Sequence, residues 1–414
     1  MSQNRDWQNR DSKNDLFIGR QPIFNRDGVV EAYELLYRPA QKATDSSGMV
    51  DGEQATARVL VNVLMHFGIE QVSGGKRLFI NGTHDFITGD IPDLLPPETV
   101  VLEVLEDIQP DDDVMTALRH WKELGFTIAL DDFIYAPHLQ PLVDLADLIK
   151  VDITVLPHSL AEERERLRSF SGRLLAEKIE TIEEHQEAMG LGFDLFQGYY
   201  YAKPTTLSNK GMDANQAQAM QMMRQAMEAE SAEELEELIS RDVAIAYKLL
   251  KYINSPAFGL RSEIKSIRHA LTLLGLKSVR TWASIVALSS ASSNKPDELV
   301  RQSLVRGRFL EQLAEESGSR DARSDHFILG MFSLLEAMLD QPMAEAIAEL
   351  SLPDAVRQGL TDRECALGRL VRLVEAMEQG DWQLIEDLTN EMDLHNASSI
   401  YLQAMFWVDE LGMV

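Results

Sequence analysis

Hydrophobic and polar positions alternate differently in the two halves of the chain, and the change falls near residue 205. Before it, short apolar runs rich in β-branched and aromatic residues predict β-strands. Between these runs, apolar residues recur at the spacing of amphipathic helices. The strand candidates are LFIGRQPIF (16–24), VVEAYELLYR (29–38), RLFIN (77–81), VVLEVLE (100–106), TIALDDF (127–133), LIKVD (148–152), RLLAEKI (173–179) and FDLFQGYY (193–200).

The first two strand candidates flank the turn Asn25-Arg26-Asp27-Gly28, which is typical of a hairpin. The clearest helical patterns run from Val59 to Phe67 and from Val114 to Leu124. Strands that alternate with helices predict a small (β/α)8-like barrel, here with its first strand antiparallel in the hairpin. A doubly wound open sheet is the alternative α/β fold.

The second half is predicted to be all helical, because strong helix formers and Leu-, Ala- and Met-rich helical patterns fill it. The cluster of Met220, Met222, Met223 and Met227 favours core packing over a partner-docking face. The predicted organisation is a disordered polar tail (1–15), a barrel domain (16–205), a polar linker (206–218) and a helical domain (219–414).

Composition narrows the function classes. The net charge of −28 argues against binding of nucleic acid or of an anionic membrane by the chain as a whole. No apolar run approaches the roughly 20 residues that span a bilayer, and the polar N-terminus lacks the apolar core of a signal peptide. The single Cys365 excludes an intramolecular disulfide and a cysteine-built zinc site, as expected in the reducing cytoplasm.

Polar side chains lie at the predicted ends of barrel strands, among Val, Ile and Leu. Carboxylates in such places are costly to bury unless they are paired or bound to metal. Because active sites of (β/α)8 barrels form at the C-terminal strand ends, these groups predict an oxygen-rich site suited to Mg²⁺ or Mn²⁺. The residues concerned are Glu34, Arg38, Asn81, Glu103, Asp131, Asp132, Lys150, Glu177, Glu180 and Gln197.

The order of short motifs in the first half resembles the EAL domain of cyclic-di-GMP phosphodiesterases. Each motif alone is weak, but their common order is specific, and the resemblance covers about residues 16–205. The motifs are QPI (21–23), ELLYR (34–38), Asn81, EVLE (103–106), DDF (131–133), KVD (150–152), AEKIE (176–180) and QGYYYAKP (197–204).

The resemblance implies a role for each matching residue. The implied metal ligands are Glu34, Asn81, Glu103 and Asp131, with Asp132 for a second ion and Glu180 beside the base. The implied general base is Glu177, and Lys150 would stabilise the nucleophile and the developing charge. The other implied roles are phosphate and guanine binding by Arg38 and Gln21, lining of the site by Gln197, and anchoring of the loop after the fifth strand by Glu106.

Two segments depart from the family pattern. Active members usually continue DDF with Gly-Thr-Gly, whereas here Ile134, Tyr135 and Ala136 precede a proline, so conformations open only to glycine are lost. Lys178 replaces the glycine of the family's AEGVE motif. We therefore expect a packed loop that holds Asp132 away from a second metal position.

The run LISRDV…VRTW (238–282) resembles the HDOD domain, a relative of HD-type phosphohydrolases. An HD enzyme needs an adjacent His-Asp pair on a helix, but the chain's one such pair, His84-Asp85, follows a barrel strand and predicts a loop. Isolated histidines occur in the second half at 269, 326 and 395. The helical half is thus predicted to bind a protein partner and no metal.

Two functions stay open at this point, both in cyclic-di-GMP signalling. In the first, the divergent barrel is silent or slow and the helical half acts through its partner. In the second, the barrel is an active Mg²⁺- or Mn²⁺-dependent phosphodiesterase that opens cyclic-di-GMP to linear pGpG. The rebuilt loop favours the first function and the retained acids favour the second, while the motif order disfavours an unrelated metal-dependent barrel enzyme. The sequence leaves a homodimer open.

Overall fold

Eight β-strands form a closed barrel in sequence order in the computed structural model. The first strand is antiparallel to its neighbours on both sides, and the remaining pairs are parallel. The predicted barrel with an antiparallel first strand is confirmed, and the open sheet is excluded. The strands are β1 (Leu16–Asn25), β2 (Val30–Pro39), β3 (Arg77–Gly82), β4 (Val100–Val104), β5 (Thr127–Leu130), β6 (Leu148–Asp152), β7 (Arg173–Glu177) and β8 (Leu195–Gln197).

The structure describes nine segments of the chain. The predicted tail at 1–15, the helical pattern at 59–67 and most of the predicted linker lie outside them. The described residues are 16–39, 68–89, 94–202, 214–260, 263–291, 295–319, 322–348, 350–394 and 396–412.

The turn between β1 and β2 is held by its own side chains. The Asn25 Oδ1 atom accepts hydrogen bonds from the backbone N–H groups of Asp27 and Val29, both at 3.0 Å. Gly28 has a φ of 74°, which a residue without Cβ adopts at little cost. The two strands therefore form a hairpin (residues 16–39), called the β1–β2 hairpin below.

Short helices surround the barrel, and four of the six described begin at a residue whose side chain caps the first turn. Asp111 caps the helix that buries Val114, Leu118 and Trp121, as the apolar spacing predicted. His84 begins a helix instead of lying in the predicted loop, and its side chain is about half exposed. The helices are α1 (Ile69–Ser73), α2 (His84–Thr88), α3 (Asp112–Glu123), α4 (Gln140–Leu145), α5 (Leu160–Arg166) and α6 (Ile182–Gly190).

The second half is helical throughout its described residues, which confirms the prediction. Methionines 220, 222 and 223 of its first helix are buried in the core. Among the described residues, no helix has both the length and the apolar character needed to span a membrane. The helices are α7 (Ala214–Glu228), α8 (Ala232–Ser240), α9 (Val243–Ile253), α10 (Ile267–Ala291), α11 (Asp297–Glu316), α12 (Arg323–Phe332), α13 (Leu335–Leu339), α14 (Met343–Ala346), α15 (Asp354–Thr361), α16 (Ala366–Gln379), α17 (Trp382–Glu391) and α18 (Ala397–Leu411).

The inside of the barrel is closed by a layer of apolar side chains, one from each strand. Because side chains alternate along a strand, the residues two positions nearer the mouth point into the same interior. The apolar layer therefore lies directly beneath the side chains that are two positions nearer the mouth. It consists of Ile23, Ala32, Phe79, Val101, Ala129, Leu148, Leu175 and Leu195.

Candidate active site

Directly above the apolar layer lies a layer made only of polar side chains, again one from each strand. These are residues that the sequence predicted as site residues, and the structure brings them together at one end of the barrel. We call them the polar layer. It consists of Gln21, Glu34, Asn81, Glu103, Asp131, Lys150, Glu177 and Gln197.

Lys150 lies at the centre of the polar layer and is 1% exposed. Its Nζ atom is 2.5 Å from Glu103 Oε1 and 2.6 Å from Glu177 Oε1. The same atom is 2.7 Å from Asp131 Oδ1 and 3.2 Å from Glu34 Oε2. An ammonium group has three N–H donors and a single charge, so it cannot satisfy four carboxylates.

The polar layer holds more carboxyl groups than positive groups, and burial and mutual repulsion raise the pKa values of two of these carboxyls. Burial raises the pKa of Glu103 well above its ordinary value, against the attraction of Lys150. Burial likewise raises the pKa of Glu177, again opposed by Lys150. Burial alone lowers the pKa of Lys150, but the carboxylates around it, Glu103 first, raise it well above its usual value. The lysine therefore stays charged, and further cations are attracted to the site.

Amide side chains continue the polar layer on the side of β1, β2 and β8. Gln197 Nε2 donates to Gln21 Oε1 at 3.0 Å and to Glu34 Oε2 at 2.7 Å. Asn81 Nδ2 donates a longer bond of 3.4 Å to Glu34 Oε1. Glu34 is thus held by the amide groups of Gln197 and Asn81 as well as by the ammonium group of Lys150.

The oxygens of the site fit a hard divalent cation. Carboxylate oxygens of Asp131, Asp132 and Glu177 all lie within 4.8 Å of one another. Within the described part of the chain, no hydrogen-bond donor reaches the buried atoms Asn81 Oδ1, Glu103 Oε2 and Asp132 Oδ1. Buried oxygens without donors are costly unless a cation satisfies them, and Mg²⁺ and Mn²⁺ prefer such ligands.

The loop that follows Asp132 is packed, as the sequence predicted. Phe133 is 5% exposed, and its backbone N–H donates to the carbonyl oxygen of Lys150 at 2.9 Å. The backbone N–H of Tyr135 donates to Glu163 Oε1 at 2.7 Å, and the Tyr135 hydroxyl donates to Gln140 Oε1 at 3.0 Å. These bonds tie the loop to α4 and α5.

Packing of this loop does not move Asp132 away from the site. The Asp132 backbone has a φ of 42°, a left-handed conformation that is uncommon without glycine, and its carboxylate stays in the group that could hold an ion. Lys178 also has a positive φ, of 55°, and its ammonium pairs with the buried Asp152. The expectation that the loop withholds Asp132 from metal is therefore not supported by this geometry.

Three predicted site residues lie apart from the polar layer or cannot be located. Glu180 and Glu106 are exposed on the segments that follow β7 and β4. The side chain of Arg38 lies outside the described part of the structure. Sequence reasoning gave no role to Glu163, since only the folded chain brings it to Tyr135, and none to Asp152, although the KVD motif contains it.

Comparisons with known proteins match both halves. The family model of the EAL domain matches residues 82–204, and that of the HDOD domain matches residues 214–396. The protein YuxH of Bacillus subtilis is 33% identical over 409 residues, which are 96% of this chain and 98% of YuxH. The Vibrio cholerae protein named cyclic di-GMP phosphodiesterase CdgJ is 33% identical over 402 residues, 96% of this chain and 93% of CdgJ.

Solved structures that contain an EAL domain are also similar to part of this chain. One is the YkuI protein of Bacillus subtilis, in complex with substrate c-di-GMP and calcium. It is 20% identical, with a TM-score of 0.38, and the match covers 63% of this chain and 72% of that one.

Proposed function

Because the chain belongs to the family of proteins that join an EAL domain to an HDOD domain, we propose that its barrel hydrolyses cyclic-di-GMP to linear pGpG. The observation that carries this proposal is the polar layer, to which each strand contributes one side chain. The name of the Vibrio cholerae relative supports the same reaction. Mg²⁺ or Mn²⁺ is the proposed cofactor.

The reaction needs a water oxygen to form a bond to one phosphorus while one ester P–O bond of the ring breaks. Divalent ions at the carboxylates would lower the pKa of water and neutralise the phosphate. Glu177 takes the proton of the attacking water in this proposal, since its carboxylate lies in the polar layer beside Lys150 and matches the general base that the family motif implies. Lys150 faces the negative charge that develops on the phosphate oxygens.

Substrate binding is assigned to the side of the layer near β1. Gln197 Nε2 already donates to Gln21 Oε1 and to Glu34 Oε2, so the groups left for a polar ligand are the amide nitrogen of Gln21 and the Oε1 atom of Gln197. We keep the proposed contacts of Gln21 with guanine and of Arg38 with phosphate, since a guanidinium suits a phosphate bidentately. Glu180 and Glu106 retain their proposed roles only if the ligand or an ion draws their segments toward the mouth.

The direct test is incubation of the purified full chain with cyclic-di-GMP and Mg²⁺ or Mn²⁺, with chromatographic detection of pGpG. We expect hydrolysis that stops when a chelator removes the metal. Glu177→Gln keeps the size of the side chain and should lower kcat by about 10²- to 10⁴-fold. The matched control is Glu187→Gln on the exposed face of α6, which should change kcat less than twofold. Equal activity of the two variants would contradict the assignment of the base.

A second function, nucleotide binding without turnover, is favoured by one observation, the packed loop after Asp132. A loop tied to α4 and α5 closes over a ligand less readily than a glycine-rich one. Calorimetric binding of cyclic-di-GMP by a chain that forms no pGpG with either metal would establish this function.

The helical half has no proposed reaction. His84 and Asp85 lie at a surface helix of the barrel, and His326 Nδ1 is 2.9 Å from the carbonyl oxygen of Ala322. A protein partner for this half and a homodimer both stay predictions. Analytical ultracentrifugation of the full chain measures directly whether it forms a homodimer.

A further inference from the structure

The helical half contacts the barrel at three neighbouring strands. Helices α16 and α18 pack against β1, and α11 reaches β2 through its first turn. The segment after β8 is held by the C-terminal turn of α16. These strands, β8, β1 and β2, are adjacent in the barrel and together supply Gln197, Gln21 and Glu34 to the polar layer.

On the outer face of the β1–β2 hairpin, buried charged groups join the two halves. The Arg20 Nη2 atom donates to both carboxylate oxygens of Asp409 in α18, at 3.0 and 2.8 Å. The Tyr33 hydroxyl donates to Glu298 Oε2 of α11 at 2.9 Å, and the Arg20 guanidinium stacks 4.3 Å from the Tyr33 ring centre. Arg301 closes the group by pairing with both acids.

These contacts lie one residue away from the site. Arg20 precedes Gln21, and Tyr33 precedes Glu34, and successive side chains of a strand point to opposite faces. Gln21 and Glu34 are also paired directly across the two strands. Any shift of Arg20 and Tyr33 relative to the barrel therefore moves two members of the polar layer.

On the mouth side of the same hairpin, the end of α16 is in close contact. A Cβ placed on Gly19 would lie 2.8 Å from the carbonyl oxygen of Met377, so only glycine allows this approach. Gly19 is paired with Leu36, and a Cβ on Gly380 would lie 3.1 Å from Leu36 Cδ1. The hairpin is thus held by the helical half on both of its faces.

The third contact follows β8. The Tyr199 hydroxyl donates to Glu378 Oε2 at 2.9 Å, and Glu378 forms a bidentate pair with Arg306 at 2.8 and 2.6 Å. Both charged side chains are at most 3% exposed. Tyr199 lies two residues beyond Gln197, whose amide bridges Gln21 and Glu34.

We propose that the helical half positions the barrel site, because its contacts on both faces of the β1–β2 hairpin and after β8 set the mutual placement of Gln21, Glu34 and Gln197. This inference rests on the proposed cyclic-di-GMP site and adds a control over it. Tyr33, Tyr199 and Glu298 are positioning residues in this account and touch no substrate. The hydrogen bonds from Gln197 to its two neighbours are the groups that a displaced hairpin would lose.

The test compares Glu298→Leu with Glu298→Gln in the full chain, in a Glu177→Gln background in which we expect turnover to be strongly slowed. Leucine removes the acceptor for the Tyr33 hydroxyl, whereas glutamine keeps an oxygen in its place. The control, Glu391→Gln, breaks the 2.9 Å ion pair with Arg369, which joins two helices of the helical half. Calorimetry measures cyclic-di-GMP affinity below the melting temperature, and hydrogen–deuterium exchange follows residues 16–25 and 30–39 without ligand.

We expect Glu298→Leu to weaken the affinity at least fivefold and to speed exchange in both segments, with glutamine and the control within twofold of the parent. Affinity and exchange unchanged in the leucine variant, despite a lower melting temperature, would make the contact merely structural and overturn the inference. Tyr199→Phe, which deletes a single hydroxyl, replaces Glu298→Leu if that variant does not fold. A parent that binds no cyclic-di-GMP refutes the proposed function, and exchange alone, which needs no ligand, then decides whether the hairpin is held.

Discussion

At Lys150, a single buried ammonium group balances part of the charge of four carboxylates. Such an arrangement is stable only while each charge keeps a partner, since a buried charge left alone loses its hydration without compensation. The lysine thus has a structural role in the metal-free protein besides the proposed catalytic one. A divalent ion beside Asp131 and Asp132 would take over part of this role.

Replacement of this lysine tests its structural role. Lys150→Met should lower the free energy of unfolding by about 3–5 kcal/mol in the presence of a chelator. Addition of Mn²⁺ should restore part of the loss, because the ion neutralises the same carboxylates. Urea unfolding measures both effects, and Lys122→Met, at a pair with Asp147 that is about one third exposed, is the control with a loss below about 1 kcal/mol. A loss that Mn²⁺ leaves unchanged would contradict the shared role.

The buried acid Glu298 predicts a pH dependence of stability. Burial raises its pKa from 4.5 to about 7, against the attraction of Arg20 and the hydrogen bond from Tyr33. Asp409, whose pKa burial raises to about 6, and Arg301 also face the same group. The folded chain holds the Glu298 proton more tightly than the unfolded chain, so this contribution is complete below pH 4.5 and is lost as the pH rises to about 7.

The measurement is urea unfolding of the parent and of Glu298→Gln at pH 5 and pH 8. The difference between a pKa of 4.5 and one of about 7 corresponds to about 3 kcal/mol, the most that the parent should lose relative to the variant over this range. Other acids titrate in both proteins and cancel in the comparison. An identical pH dependence of the two proteins would refute the raised pKa of Glu298.

Among the elements, the loop after β5 has the clearest test. Its bonds to Glu163 and Gln140 hold it down while Asp132 stays at the site. Under the proposed function, we expect turnover to be limited by how far the loop can rearrange around the ligand and not by a missing carboxylate. The loop departs from the family pattern, whereas the acids of that pattern are kept.

The triple change Ile134→Gly, Tyr135→Thr and Ala136→Gly should raise the initial rate of pGpG formation, because it restores a flexible loop beside an intact ligand set. Adding Glu34→Ala to the same chain should abolish the gain. Tyr135→Phe is the control, which keeps the bulk and removes only the bond to Gln140. A rate that stays the same in the triple variant would mean that the packed loop is competent as it is.

The polar layer could be predicted from the sequence because seven of its members follow an apolar residue by two positions in a strand of clear pattern, while Gln21, on the antiparallel first strand, precedes Ile23 by two. Asn81 after Phe79 and Glu103 after Val101 are examples. The contact of Tyr33 with Glu298 could not be predicted, because 265 residues separate the two and neither has a distinctive neighbourhood. The conformation of Asp132 was also missed, since a positive φ outside glycine leaves no mark in a residue pattern.

For the whole molecule, the two halves share one hydrophobic core. A single cluster of buried side chains extends from the outer surface of the barrel strands to α18. Burial of apolar surface is the main favourable term in folding, so units that share it unfold together.

We therefore expect one cooperative thermal transition for the full chain, with the calorimetric enthalpy equal to the van't Hoff enthalpy. Differential scanning calorimetry in a chelator checks this. Arg306→Met, which leaves the buried Glu378 without its partner, should lower the melting temperature of that single transition. Two resolved transitions, of which Arg306→Met shifts only one, would contradict a shared core.

The contacts of the helical half with both faces of the β1–β2 hairpin also have a consequence for signalling from the barrel to the helical half. Thermodynamic linkage requires that two binding events on one molecule affect each other by the same factor. Suppose that cyclic-di-GMP binds tenfold more tightly when the helical half contacts the hairpin than when these contacts are lost. The nucleotide then stabilises the contacts by about 1.4 kcal/mol. Suppose that a protein binds the helical half only while this half contacts the hairpin. The nucleotide then raises the affinity for that protein by up to tenfold. The barrel would report the nucleotide to that partner whether or not it hydrolyses it.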